Sequence, residues 1–195
     1  MNKKLAAALS GGAVLVVALT GCSSGSGSDN NDKLDAWAKQ VCDAVQPQAK
    51  KIEAANTAIQ KETSDNSAPA DVQKTDAKAF QDMSDAYKAI GAAVNAAGAP
   101  NVDNGAKKQK DAVKELDGIA TQYAGLKKQV DELDTKDQAK FADGLKDIAT
   151  QLDKLSQTGN DALKNLEEGD VGQAMAKQAS CKSASSSASA PATSG

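Results

Sequence analysis

The three cysteines of this chain, Cys22, Cys42 and Cys181, carry its most nucleophilic side chains. The chain contains no histidine and no arginine. The absence of histidine excludes Ser-His and Cys-His nucleophile pairs and the commonest transition-metal ligand. The absence of arginine excludes bidentate binding of phosphate or carboxylate groups. We therefore expect no enzyme, no cofactor and no metal site, and we consider the cysteines for lipid attachment and for a disulfide.

The first cysteine follows a segment with the three parts of an export signal. Lys3 and Lys4 form a short positive region, residues 5–20 carry no charge, and Gly21 places a small residue before Cys22. Charged, apolar and small-residue regions in this order are typical of a secretory signal peptide. Two alternatives stay open: cleavage without lipid attachment, and retention of residues 5–20 as a membrane anchor. The second would need roughly 20 apolar residues.

The segment Leu19–Cys22 reads Leu-Thr-Gly-Cys and resembles the lipobox of bacterial lipoproteins, whose common form is Leu-x-Gly/Ala-Cys. The resemblance implies cleavage between Gly21 and Cys22, acylation of Cys22 and attachment to the outer face of the cytoplasmic membrane. The chain is also similar to small secreted lipoproteins of Gram-positive actinobacteria, which mostly have no assigned activity. This likeness rests on the lipobox, on the stretch Trp37–Cys42 (Trp-x-x-x-Val-Cys) and on a helical body with a low-complexity tail.

Composition divides the chain into four parts. Residues 1–21 form the expected signal peptide, and residues 22–31, rich in Ser, Gly and Asn, predict a flexible tether. Residues 32–182 form the expected helical domain, and the Ser/Ala-rich residues 183–195 predict a disordered tail. The net charge is −3, and cleavage would remove two lysines and no acidic residue. A basic surface for nucleic acid is therefore not expected.

Apolar residues recur at alternating steps of three and four residues along four segments of the expected helical domain. This period is typical of helices that pack through a continuous apolar seam. The sequence therefore predicts an all-α fold: an antiparallel up-down-up-down four-helix bundle with a short fifth helix at 171–181. The seams are, in order, Leu34, Trp37, Val41, Val45, Ile52, Ala55 and Ile59; Phe80, Met83, Tyr87, Ile90, Val94 and Ala97; Val113, Leu116, Ala120, Tyr123, Leu126, Val130 and Leu133; Phe141, Leu145, Ile148, Leu152, Leu155, Gly159, Ala162 and Leu166.

Residues near the ends of these segments predict where the helices begin and stop. Pro47 lies inside the first seam and predicts a kink or break there. Gly98 is expected to end the second helix. The stretch Thr135–Gln138 has the form of a capping box at the start of the fourth helix. Gly169 is expected to end that helix, and Asp170 to cap the short helix that follows.

Cys42 and Cys181 remain once Cys22 is assigned to lipid, and an even pair in an exported protein predicts a disulfide. Cys42 would lie roughly 14 Å up the first helix, and Cys181 roughly 16 Å along the short helix if the chain reverses after the fourth. The similar heights favour a bridge between the C-terminal helix and the first one. The alternative is two separate buried thiols.

Other charged and aromatic residues favour structural roles. Lys107 and Asp111 predict an ion pair one helical turn apart on a solvated face, with contact to lipid headgroups as the alternative. Trp37 is expected to pack between helices. Tyr87 and Tyr123 are expected to meet in the core, with a ligand pocket between them as the alternative.

The leading functional interpretation is a non-enzymatic, membrane-tethered extracytoplasmic domain that binds an unknown envelope protein through a helix face. The alternative is a small-molecule or lipid carrier with a cavity between its helices. A void of roughly a few hundred Å³ would favour the carrier, whereas an exposed apolar patch would favour the protein partner. An enzyme comes third, because it would need a concave cluster of carboxylates with perturbed pKa values.

Overall fold

The computed structural model describes residues 26–62, 67–158 and 161–188. These residues form seven α-helices and include no strand, so the all-α prediction is confirmed. The segment Leu19–Cys22, with its predicted cleavage and acylation, lies outside the described residues. The helices are α1 (Ser26–Glu62), α2 (Pro69–Ala97), α3 (Gly105–Asp131), α4 (Gln138–Thr158), α5 (Asp161–Glu167), α6 (Asp170–Lys177) and α7 (Ala179–Ala188).

The helix α2 lies between α1 and α3 and packs extensively against both of them. Both α4 and α5 pack on α3, whereas α6 and α7 pack on α1. The three long helices α1, α2 and α3 therefore form the main body of the domain. The later helices cover its surfaces.

Apolar side chains form two core clusters at opposite ends of α2. The first core cluster joins the early part of α1 to the late part of α2 and the early part of α3, and α5 and α6 close it. The second core cluster joins late α1 to early α2, late α3 and α4. The first contains Leu34, Trp37, Ala38, Val41, Val94, Ala112, Leu116, Leu166, Val171 and Ala174, and the second contains Ala55, Ala77, Ala79, Phe80, Met83, Leu126, Val130 and Ile148.

A layer with one buried hydroxyl and several aromatic rings lies between the two clusters. The Ser84 hydroxyl donates a hydrogen bond to the Ala120 carbonyl oxygen at 2.8 Å, which satisfies a buried polar group. The rings of Tyr87 and Tyr123 stack with centroids 5.6 Å apart and planes 8° apart. Phe80 follows, 6.1 Å from Tyr123. The tyrosines therefore meet as predicted, and their contact leaves no space for a ligand between them.

The helix α1 continues without interruption through Pro47, so a break at this proline, one of the two outcomes expected there, is wrong. A proline inside a helix removes one backbone hydrogen bond and costs about 3 kcal/mol. Packing on both sides offsets this cost, because Val41 is buried in the first core cluster and Ala55 in the second. Packing against the two core clusters therefore keeps α1 a continuous helix.

The structure describes the predicted fourth helix as α4, up to Thr158, and α5, from Asp161, and residues 159–160 lie outside the described residues. The capping box expected at Thr135 is wrong. Asp137 caps α4 instead, because its Oδ1 accepts a hydrogen bond from the backbone N–H of Lys140 at 3.1 Å. A carboxylate there also interacts favourably with the helix dipole.

The predicted short fifth helix is two helices, because the backbone is extended at Gln178, with φ −77° and ψ 125°. The side-chain amide of Gln178 donates to the Ala174 carbonyl oxygen at 3.3 Å and so satisfies an acceptor near the end of α6. Cys181 consequently lies in α7. Gly169 is the N-cap of α6 with φ 71°, a conformation that glycine adopts readily, so Asp170 lies in the first turn and is not the cap.

Helical structure extends further at both ends than predicted. The helix α1 begins within the expected tether, and there the side-chain amide of Asn101 donates to Asn30 Oδ1 at 2.8 Å. The helix α7 continues past residue 182, and the amide of Gln46 donates to Ser183 Oγ at 2.7 Å. Among the described residues, no helix combines the length and the hydropathy that a membrane span requires.

Candidate ligand-binding cleft

The strongest candidate site is a cleft between the end of α1, the first half of α2 and α4. Its volume is about 530 Å³, within the range of small-molecule sites. Most of its lining is apolar, and the polar residues are few. The lining comprises Ile59 from α1; Ser67, Pro69, Val72, Asp76 and Phe80 from α2 and the two residues before it; and Gln138, Phe141, Ala142, Leu145, Ile148, Ala149 and Leu152 from α4.

The helix α4 forms one wall of the cleft because it is seated on the end of α3 and on the turn that follows. Gly144 lies so close to Leu133 that an added Cβ would be 2.3 Å from Leu133 Cδ2. Further along, the side-chain amides of Gln129 and Gln151 exchange two hydrogen bonds at 2.9 and 2.6 Å. These contacts fix α4 to α3, and the cleft is the space that remains between α4 and the α1–α2 pair.

A glutamine fixes the opposite wall. Gln73 Nε2 donates to the carbonyl oxygens of Val130 and Leu133, both at 2.9 Å. Val130 is in the last turn of α3 and Leu133 follows its C-cap, so this amide ties the first turns of α2 to the end of α3. Asp76 and Phe80 follow on α2 and line the cleft.

Among the described residues that line the cleft, Asp76 is the only ionisable one. Its side chain is buried, with an exposed fraction of 7 %, and its Oδ1 has no hydrogen-bond partner. Burial raises the pKa of this carboxyl to about 6, and the negative charge of Glu62 on α1 adds to the shift. None of the ion pairs in the described part of the chain includes Asp76.

A carboxyl group in such a setting either takes up a proton or pairs with a donor that enters the cleft. Apolar walls with a few placed polar groups are the usual composition of a small-molecule site. The arrangement can therefore hold an apolar molecule and orient it through a single polar contact.

Sequence analysis missed Asp76, although the pattern contains a signal for it. Asp76 lies four residues before Phe80, the first residue of the second seam, and so it continues that seam toward the N-terminus. An acidic residue on the apolar stripe of a helix must be buried or paired, unlike one on the solvated face. The sequence contains no such signal for the cleft itself, because the cleft depends on where α4 packs against the other helices.

The two cysteines of the body form the predicted disulfide. The bond between Cys42 and Cys181 joins α1 to α7, with the sulfur atoms 2.04 Å apart. Next to it, the Ser180 hydroxyl donates to Asp43 Oδ1 at 2.6 Å. The C-terminal helix is thus attached to the first one, as the similar heights of the two cysteines indicated.

The other residues singled out in the sequence contribute to the scaffold. Trp37 is buried, and its indole N–H donates to the carbonyl oxygen of Gly98, which ends α2, at 2.8 Å. Lys107 pairs with Asp111 at 2.6 Å between Nζ and Oδ2, as predicted. In the part of the chain that the structure describes, no group of three His, Cys, Asp or Glu side chains is placed to hold a metal ion.

No protein-family model, no curated protein and no solved structure matches this chain. The evidence on function consequently comes from the cleft and from the N-terminal motif.

Proposed function

We propose that this chain is a lipoprotein tethered to the outer face of the cytoplasmic membrane through acylated Cys22, and that its helical domain binds a small apolar molecule or lipid in the cleft. The tether is supported by the resemblance of Leu19–Cys22 to a lipobox. The binding role is supported by one observation: three helices border an open cleft of about 530 Å³ whose lining is largely apolar and includes one buried carboxyl group. The proposal assigns no catalytic step to the domain.

The proposal includes an antiparallel up-down-up-down arrangement of α1 to α4. The two core clusters support it, since early α1 meets late α2 and early α3, while late α1 meets early α2 and late α3. Such contacts arise when successive helices run in opposite directions. The contacts of Leu133 with Gly144 and of Gln129 with Gln151 favour the same reversal between α3 and α4.

The burial of the lining favours a small ligand over an envelope protein bound through a helix face. Phe80, Phe141 and Ile148 are buried, and Ile59 and Leu152 are partly buried against the second core cluster. A protein-binding face would present a contiguous exposed apolar patch. The large apolar side chains here line a concavity, which suits a molecule that enters the domain.

Binding can be tested with 1-N-phenylnaphthylamine, a neutral fluorophore that brightens in apolar surroundings. The chain from residue 22 onward, with Cys22→Ala, keeps every described residue and carries no acyl chain that could compete. Ala149 lies exposed at the edge of the cleft on α4, so Ala149→Trp should obstruct it while leaving the core intact. Ala139 is exposed on the same helix and does not line the cleft, which makes Ala139→Trp the matched control.

We expect saturable binding by the parent chain and by Ala139→Trp, and binding weaker by about tenfold or more for Ala149→Trp. Equal affinities of the two tryptophan variants would show that the probe binds elsewhere and would overturn the small-molecule proposal. A dimer seen by light scattering and abolished by Ala149→Trp would also overturn it, because a second copy of the chain would then occupy the cleft.

A further inference from the structure

Asp76 gives the cleft a preference for one kind of ligand head group, which its apolar walls cannot supply. It lies one helical turn from Val72 and from Phe80, which both line the cleft. Its Oδ1 is buried and accepts no hydrogen bond. A buried acceptor without a partner is unfavourable, so a ligand that brings a donor to this oxygen relieves a cost already present in the empty site.

Among the described residues, no cation pairs with this carboxyl group or lines the cleft beside it. The charged group that acts on Asp76 from α1 is Glu62, which is also acidic. The described residues of α4 that line the cleft include no ionisable residue, and none of the described lining residues belongs to α3. On α2, Lys74 and Lys78 line a different groove, on the side of α2 that faces α1, and Lys78 pairs with Asp82. The described part of the chain therefore leaves the positive charge to a ligand.

We propose that the cleft selects amphiphiles whose polar head is a protonated primary amine, with the ammonium group donating to the Asp76 carboxylate and the hydrocarbon chain lying against the wall formed by α4. This inference rests on the proposed function, since it names the ligand class of the same cleft. An ammonium head supplies both a donor and a counter-charge. An alcohol supplies a donor alone, and a carboxylate head adds a second negative charge.

The ionisation of Asp76 gives the selection a pH dependence with a definite sign. Burial and the charge of Glu62 raise the pKa of Asp76 to about 6, whereas an alkylamine, like a lysine side chain, stays protonated well above neutral pH. The carboxylate that binds the ammonium is therefore lost on acidification. Amine affinity should fall by about tenfold between about pH 7.5 and about pH 5, and alcohol affinity should not.

Displacement of bound 1-N-phenylnaphthylamine tests the head-group preference with three ligands of equal chain length: decylamine, 1-decanol and decanoate. In the parent chain, decylamine should displace the fluorophore at about a tenfold lower concentration than either competitor. Asp76→Asn should lose the preference for decylamine over 1-decanol. Asp85→Asn removes the same charge from an exposed position on α2 and should keep it.

The outcomes separate the two proposals. Equal displacement by the three ligands, or a preference that survives Asp76→Asn, would overturn the amine selection and leave the cleft as a binding site. Failure of the parent chain to bind the fluorophore would remove the binding site itself. The pH series tests the role of the Asp76 carboxylate without any substitution. A decylamine affinity that is constant between about pH 5 and about pH 7.5 would contradict that role.

Discussion

At the scale of the residue, Asp76 is a source of instability as well as a candidate ligand contact. Its pKa in the folded domain is about 6, against an ordinary value of 3.8. Between these values the folded state binds more protons than the unfolded state, so stability falls as the pH rises through this window. A shift of this size corresponds to a loss on the order of 3 kcal/mol above pH 6. Binding of a ligand that pairs with Asp76 would recover part of this lost stability.

The substitution Asp76→Asn should therefore stabilise the unliganded domain by about 1–3 kcal/mol at pH 7.5 and change its stability little below about pH 4. The amide has nearly the shape of the carboxyl group but never acquires its charge. Urea unfolding of both proteins across this pH range measures the difference. A difference that stays constant with pH would contradict the raised pKa.

At the scale of the element, two glycines inside helices should respond oppositely to alanine. An added Cβ at Gly118 would meet no atom within 4 Å, so Gly118→Ala should raise the free energy of unfolding by about 0.5–1 kcal/mol. An added Cβ at Gly144 would be 2.3 Å from Leu133 Cδ2, so Gly144→Ala must displace Leu133 and should cost about 1 kcal/mol or more.

Thermal unfolding of the two glycine variants gives the stabilities, and fluorophore binding gives a second comparison. Gly144→Ala should weaken binding because it shifts the wall formed by α4, and Gly118→Ala should not. Equal stabilisation by both alanines would mean that α4 is not seated on Leu133.

The attachment of α7 makes a separate prediction. The disulfide between Cys42 and Cys181 and the hydrogen bonds of Ser180 and Ser183 hold this helix on α1. Reduction should lower the free energy of unfolding by about 2–4 kcal/mol, because the bridge closes a long loop in the unfolded chain. Hydrogen exchange should accelerate in α7, while the central helix α2 stays protected. Unchanged exchange in α7 would contradict this.

At the scale of the whole molecule, the sequence predicted the helical class and many of the buried positions. Phe80, Met83 and Val94 lie on the predicted second seam, and all three are buried. The division between α6 and α7 was missed, because neither glycine nor proline marks the extended backbone at Gln178. The cleft could not be predicted, because a seam gives the buried face of each helix and not the gap between two of them.

The proposed membrane tether also belongs to the scale of the whole molecule. The intact mass of protein extracted from membranes should exceed that of the chain cleaved before Cys22 by the mass of its acyl chains. Cys22→Ala should move the protein from the membrane fraction to the soluble fraction, with Cys181→Ala as the control that leaves the N-terminal motif unchanged. A Cys22→Ala protein that still sediments with membranes would contradict the tether.

The length of α1 determines where the molecule would encounter its cargo. This helix has 37 residues, roughly 55 Å, and Ile59 lines the cleft near its far end. With Cys22 held in the bilayer, the tilt of α1 would set the height of the cleft above the headgroups, up to about this length. A ligand would then meet the domain at that height, whether it comes from the bilayer or from outside it.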